Sequence, residues 1–194
     1  MFDAWAVSTN TYHGFSLEEA LNGIAKAGFS GVELACVEGW TNHFSVVNYR
    51  EEDLKNLRNS LSRLGLRVVS ISAHSDLSTP EGVSYLEKAL DLARVVGAGV
   101  VNTGTIEEEK KKGILLSNLR VLALEAEKRG VKIGLEIHGD FLKDGLSARE
   151  LMEELNHPAV GINYDTGNAI FYGNVRPEED VKNCLPWIVH FHLK

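Results

Sequence analysis

The chain has 194 residues, 44% of them hydrophobic and 24% charged, and a formal net charge of -7 at pH 7. That length and balance can bury one large core, whereas the net charge repels phosphate backbones and disfavours wholesale binding of nucleic acid. No stretch approaches the roughly 18 uninterrupted apolar residues of a membrane span, and Cys36 and Cys184 are too few and too far apart for a disulfide framework; the expectation is a cytoplasmic protein acting on a small molecule, with no membrane and no nucleic-acid partner.

Short β-rich runs alternate with longer amphipathic segments along the whole chain. WAVSTN (5–10) precedes SLEEALNGIAKAGF (16–29), in which Ser16 and Glu19 have the spacing of a capping box. GVELAC (31–36) is followed by EEDLKNLRNSLSRLGL (51–66), VVSISAH (68–74) by EGVSYLEKALDLARVVGA (81–98), and GVVNTGT (99–105) by KGILLSNLRVLALEAEKRG (112–130). VKIGLEIHG (131–139) leads to SARELMEELN (147–156), VGINYDTG (160–167) to a shorter helix near PEEDVKNCL (177–185), and IVHFHLK (188–194) closes the series. EEEKKK (107–112) reads as a solvated helix start, and AGFSG, LGL, VGAG and KRGV each place a glycine just past a helix, where a left-handed cap costs it least.

Strands separated by helices imply right-handed crossovers and a parallel sheet. The first strand runs into STNTYHG, which has neither GxGxxG nor GxxxxGK, so a doubly wound nucleotide binder is disfavoured. A spacing of about 28 residues per βα unit instead fits a TIM (β/α)8-type barrel, whose usual size is about 250 residues. The expected fold class is therefore α/β: an incomplete barrel of about seven parallel strands and six helices. Residues 1–194 are expected to form one domain lacking its last βα unit, with Lys194 in the seventh of eight strands and an open edge there that leaves room for a homo-oligomer.

Strand residues alternate sides, so each run can be sorted by phase. Leu135 and Ile137 oppose Glu136 and His138; Ile162 and Tyr164 oppose Asn163 and Asp165; His190, His192 and Lys194 share the phase of Ile188; and Ser70, Ser72 and His74 share one side, as do Asn102 and Gly104. If the apolar phase faces the helices, the polar phase lines the barrel, at the strand ends where barrel enzymes carry their active sites. Ionised groups in such a place cost several kcal/mol each unless paired or bound to metal. Carboxylates and imidazoles without a nearby cysteine suit one divalent ion such as Mn, Mg, Co or Zn, and the expected ligands are Glu136, Asp165 and one of the terminal histidines. His138 either orients Glu136 or contacts substrate, His74 is either a satisfied interior histidine or a ligand contact, and Lys194 is either solvated or functional. Asn168 and Gly167 can be turn chemistry alone, Glu33 can pair with a neighbouring strand or touch a ligand, and His13, His43 and His157 read as surface residues.

With AGFSGVEL (27–34), SAHSDL (72–77), LEIHGD (135–140), NYDTGNA (163–169) and HFHLK (190–194), the chain resembles the xylose-isomerase-like barrels, in particular the sugar phosphate isomerase/epimerase group. The resemblance implies a metal-dependent aldose–ketose isomerase or ketose epimerase acting on a sugar or sugar phosphate through an enediolate. It places metal ligands on Glu136, Asp165 and His192, with His190 one layer deeper, makes Glu136 the catalytic carboxylate, and assigns His74, His138, Asn168 and Lys194 to substrate binding. Asn168 departs from the histidine many members carry there, and the strand-eight glutamate that completes the family's ligand set and supplies its second base has no counterpart in this chain, which implies impaired turnover. Two other readings compete: a non-catalytic metal- or ligand-binding fragment, and a phosphodiesterase resembling the abasic-site endonucleases, which the net charge and the few ligands disfavour.

Overall fold

A computed structural model describes residues 5–194. Seven strands, β1 (Ala6–Ser8), β2 (Gly31–Ala35), β3 (Arg67–Ser72), β4 (Val100–Thr103), β5 (Lys132–Glu136), β6 (Val160–Asp165) and β7 (Ile188–His192), form one parallel sheet in sequence order. The helices between them are α1 (Leu17–Lys26), α2 (Glu51–Leu64), α3 (Pro80–Val96), α4 (Lys112–Arg129), α5 (Gly145–Leu155), α6 (Thr166–Phe171) and α7 (Pro177–Asp180). The sheet curls: His192 on β7 reaches to 3.0 Å from Glu33 on β2, although these strands are not neighbours in the ladder. It is an incomplete TIM-type barrel, as the alternation of elements predicts.

Local chemistry explains the helix boundaries. Ser16 accepts from the backbone of Glu19 while the Glu19 carboxylate accepts from the backbone of Ser16, the reciprocal cap read from the sequence. α2 and α4 end on Gly65 and Gly130 at φ +66° and +67°, a region costly for any residue with a Cβ. The one additional helix is α6, in a stretch the sequence reads as a turn. It forms because Asp165, the last residue of β6, turns its side chain onto the backbone N–H of Asn168 at 2.8 Å and so caps a helix directly at the strand end.

The apolar core lies between sheet and helices, with Val32, Leu34, Ile71, Val101, Ile133, Leu135, Ile162 and Tyr164 at 0% exposure from the strands and Leu86, Leu90, Leu115, Leu119 and Leu122 at 0% from the helices. Their strand phase is the expected outward one, which leaves the polar phase inside. At β7 the pairing shifts between Ile162 and Asn163, so that Asn163 lies beside His190 and Asp165 beside His192. Among the described residues no helix is long and apolar enough to cross a membrane.

Candidate metal centre at the strand C-termini

Two layers of polar side chains fill the sheet interior. The deeper one is built on Glu33, 3% exposed. Its Oε2 accepts from Ser70 Oγ on β3 at 2.9 Å and from Asn102 Nδ2 on β4 at 2.7 Å, while Oε1 faces His192 Nε2 at 3.0 Å. His190 sits in the same layer, its Nδ1 3.1 Å from Asn163 Oδ1 and its Nε2 3.8 Å from Glu33.

The outer layer brings together the last residues of three adjacent strands. His192 Nδ1 lies 3.0 Å from Glu136 Oε2 and 3.6 Å from Asp165 Oδ2. Glu136 Oε2 also accepts from Asn163 Nδ2 at 3.0 Å and stands 3.3 Å from His74 Nε2, whereas among the described residues Oε1 meets Asn168 Nδ2 alone, at 3.3 Å. Asp165 divides its two oxygens: Oδ1 caps α6, while Oδ2 is buried without an aligned hydrogen bond, with Lys194 Nζ 2.5 Å away.

Burial alone would push these carboxyls towards their neutral forms. Around Glu33 the opposing charge of His192 outweighs burial, helped by hydrogen bonds from His192 and Asn102, and holds the carboxyl down at about 2. Glu136 is likewise held well below the usual carboxylate range, burial being overcome by hydrogen bonds from His192 and His74. Asp165 is lowered too, against its burial, by His192 and Lys194. His192 has the reverse balance: burial opposes its charge, but the Glu33 carboxylate and hydrogen bonds to Asp165, Glu136 and Glu33 push it up to about 12. His190 is pushed down, chiefly by burial. The result is three ionised carboxylates clustered around one imidazolium and one ammonium.

The structure thus brings Glu136, Asp165 and His192 to one point, and His74, Asn168 and Lys194 to their edges. His138 lies beyond the end of β5, exposed on the rim. Its backbone N–H donates to Leu142 O at 2.8 Å, its Nε2 is 3.3 Å from Tyr172 Oη, and its ring is 6.3 Å from that of His74. Of the three histidines read as surface residues, His13 is exposed and stacks on Trp40 at 4.5 Å, whereas His43 and His157 are half-buried and bond to nearby backbone at Phe15 and Ala159. Sequence reasoning assigned no role to Asn102, Asn163 or Tyr172. The two asparagines carry a usable signal, an amide inside an otherwise apolar strand run (VVNT, GINYD), since a buried amide needs partners. Tyr172 follows α6, the helix that was not expected.

A family model described as xylose isomerase-like TIM barrel matches residues 21–194. The chain belongs to that family. This xylose isomerase-like barrel is 25% identical over 162 residues to the 3-dehydroshikimate dehydratase of Pseudomonas putida KT2440, a match covering 78% of the chain and 24% of that protein. The chain therefore spans about a quarter of the length of that curated relative. Among solved structures it is similar to a xylose isomerase-like TIM barrel protein from Mycobacterium smegmatis in complex with magnesium (TM-score 0.84, 19% identity, 100% of this chain and 76% of that one). It is also similar to the probable 3-DHS dehydratase of petrobactin synthesis from Bacillus anthracis (0.80, 20%, 97% and 72%) and to D-psicose 3-epimerase in the presence of D-fructose (0.81, 14%, 97% and 72%). At these identities the structures establish the shared fold.

The residues of this barrel suit a hard divalent cation. Glu136, Asp165 and His192 each offer a ligand atom, all within 4.8 Å of one another, and two carboxylates with an imidazole are the donor set such ions take. Asp165 Oδ2 supplies the particular test: buried and without an aligned hydrogen bond, this carboxylate oxygen is faced by a cation, the Lys194 ammonium 2.5 Å away, and a divalent ion would meet the same demand. Charge points the same way, since three carboxylates against His192 and Lys194 leave one negative charge over, and exchanging the His192 proton for a divalent ion cancels it. Glu33, His190 and His192 meet the same distance criterion, but there both Glu33 oxygens are already taken by Ser70, Asn102 and His192.

Proposed function

We propose that the chain is a divalent-metal-dependent enzyme of sugar or sugar-phosphate chemistry, an isomerase or epimerase, in which Glu136 moves a proton on the carbon next to a carbonyl. The observation that carries this reading is the convergence of Glu136, Asp165 and His192 from three adjacent strand ends, each offering a ligand atom within 4.8 Å of the others. Bound there, a divalent ion supplies a Lewis acid for the carbonyl oxygen of the substrate. Asp165 would keep its two tasks apart, Oδ1 anchoring α6 and Oδ2 available as a ligand.

The chain's own residues divide the remaining work. Glu136 Oε2 is occupied by His192, Asn163 and His74, so Oε1, with only a 3.3 Å contact to Asn168, is the oxygen free to take a proton. His74 and Asn168 fix the direction of that carboxylate. His138 and Tyr172, paired at 3.3 Å on the rim, and Lys194 present hydrogen-bonding groups to a polyhydroxylated substrate. Return of the proton to the adjacent carbon by Glu136 gives isomerisation, whereas epimerisation needs a second base on the opposite face.

The match to a dehydratase supports a second reading, because loss of water from a β-hydroxy ketone begins with removal of the same kind of proton. One experiment addresses both. The protein, purified without chelator and supplied with Mn2+ or Mg2+, is incubated with ketoses, ketose phosphates and 3-dehydroshikimate in D2O and followed by NMR. Deuterium entering the carbon beside the carbonyl, lost in Glu136→Gln, supports proton transfer by Glu136; accumulation of a dehydrated product selects the second reading. No exchange with any of these substrates, together with no retained metal, refutes the proposal.

A further inference from the structure

Both ring nitrogens of His192 face carboxylates: Nε2 stands 3.0 Å from Glu33 Oε1 and 3.2 Å from Oε2, and Nδ1 stands 3.0 Å from Glu136 Oε2. The two sides are not equivalent. Glu33 lies in the deeper layer at 3% exposure and is itself fixed by Ser70 and Asn102, two donors to its Oε2 that leave Oε1 the nearer oxygen to the ring. Asn102 in turn is held in a tight place: a Cβ at Gly134 would lie 2.4 Å from its Oδ1, so β5 comes close to that amide only because residue 134 has no side chain. A chain of contacts across β3, β4 and β5 thus ends in one carboxylate facing one nitrogen, its Oε1 the nearer oxygen.

We propose that Glu33 is a positioning residue that orients the His192 ring and keeps the proton on Nε2, so that Nδ1 is the nitrogen presented to a divalent cation beside Glu136 and Asp165. The inference rests on the metal reading above. An imidazole that ligates through one nitrogen needs its other N–H tied to an acceptor, which sets both tautomer and ring angle. Glu33 is such an acceptor: buried, and held by hydrogen bonds from Ser70 and Asn102. Its contact with the proposed ligand set is through His192, so its effect on a bound ion would be indirect. The consequence for substitution is specific. In Glu33→Gln the side-chain carbonyl belongs on the side of the two donors, Ser70 and Asn102, which turns the amide NH2 towards His192. That NH2 donates to Nε2 and moves the ring proton to Nδ1, where it faces Glu136 and blocks the ligand position.

Two measurements test this. Wild-type protein labelled with [15N]histidine and loaded with Zn2+ is expected to show, for the ring assigned by its loss in His192→Gln, a protonated Nε2 and an unprotonated, metal-shifted Nδ1. The reverse assignment overturns the proposal and needs no variant of Glu33 to fold. Calorimetric titration with Mn2+ then compares wild type with Glu33→Gln. Affinity is expected to fall about 10- to 100-fold, the loss seen when the partner of a metal-bound histidine is removed, and the Zn2+ spectrum of the variant is expected to lose the protonated-Nε2 signature, which a change in packing alone would not remove. Equal Mn2+ affinity in both proteins overturns the role of Glu33 and leaves the metal centre standing. Failure of the wild type to bind Mn2+ or Zn2+ ends the metal reading, and this inference with it.

Discussion

Asp165 carries two tasks on two oxygens, and paired substitutions separate them. Asn ranks with Asp as an N-cap, so Asp165→Asn keeps the 2.8 Å bond to the Asn168 backbone that starts α6. Its pairing with Lys194, a side chain 55% exposed, contributes at most about 1 kcal/mol, and loss of the charge also relieves repulsion from Glu136. With the 3.6 Å contact to His192 weakened as well, thermal stability in EDTA should fall by about 1–3 kcal/mol, a shift of about 2–12 °C at this chain length. Asp165→Ala also loses the cap, which costs about 1 kcal/mol more, and should melt about 2–4 °C below the Asn variant. Mn2+ binding gives the opposite grouping: both variants lose the Oδ2 ligand and should fall by more than the roughly 100-fold that an outer-shell change produces. Melting curves with chelator and calorimetry with Mn2+ read the two effects separately. If Asp165→Asn bound Mn2+ as wild type does, or melted as low as Asp165→Ala, the division of labour between the oxygens would be wrong.

Saturation with Mn2+ at about 100 times its dissociation constant should add about 2.7 kcal/mol, raising the melting temperature by about 5–10 °C; an unchanged melting curve would argue against a specific site. Gly134→Ala should cost about 1–3 kcal/mol by overpacking, because the new Cβ meets Asn102 Oδ1 at 2.4 Å and Val100 Cγ1 at 3.3 Å, and should weaken Mn2+ binding through Glu33; a variant as stable as wild type would mean that β4 yields there. In metal-free protein, stability from Glu33 is complete above its ordinary value of 4.5 and is lost as pH falls through about 2. Stability from His192 is complete below its ordinary value of 6.5 and is lost as pH rises towards about 12. Urea midpoints should therefore be highest between about 4.5 and 6.5 and decline on both sides, and the alkaline decline should shrink in His192→Gln; midpoints rising from neutral to alkaline pH would contradict this.

Much of the site was legible because strand periodicity is a local property. Residues two apart face one way, so the pairing of Glu136 against Leu135, Asp165 against Tyr164 and His192 against Phe191 can be read without knowing the fold, and the capping box of Ser16 and Glu19 is equally local. The helix α6 was not legible, because Asp165 could end a strand or cap a helix and the letters DTGN suit a turn as well. Nor could periodicity give partners. Asn102 and Asn163 stand in the right phase, but which carboxylate each one holds depends on which strands the sheet places beside them.

What the sequence determined by itself is the alternation of strands and helices, the polar lining of the interior and the residue types that could hold a cation. What only the tertiary structure decided is that Glu33 and His192, 159 residues apart, touch. The physical reason is that hydrophobic phase and capping act over a few residues, whereas the distance from β2 to β7 depends on the twist and stagger accumulated across every intervening strand pair, including the register shifts at Val32/Glu33 and Ile162/Asn163.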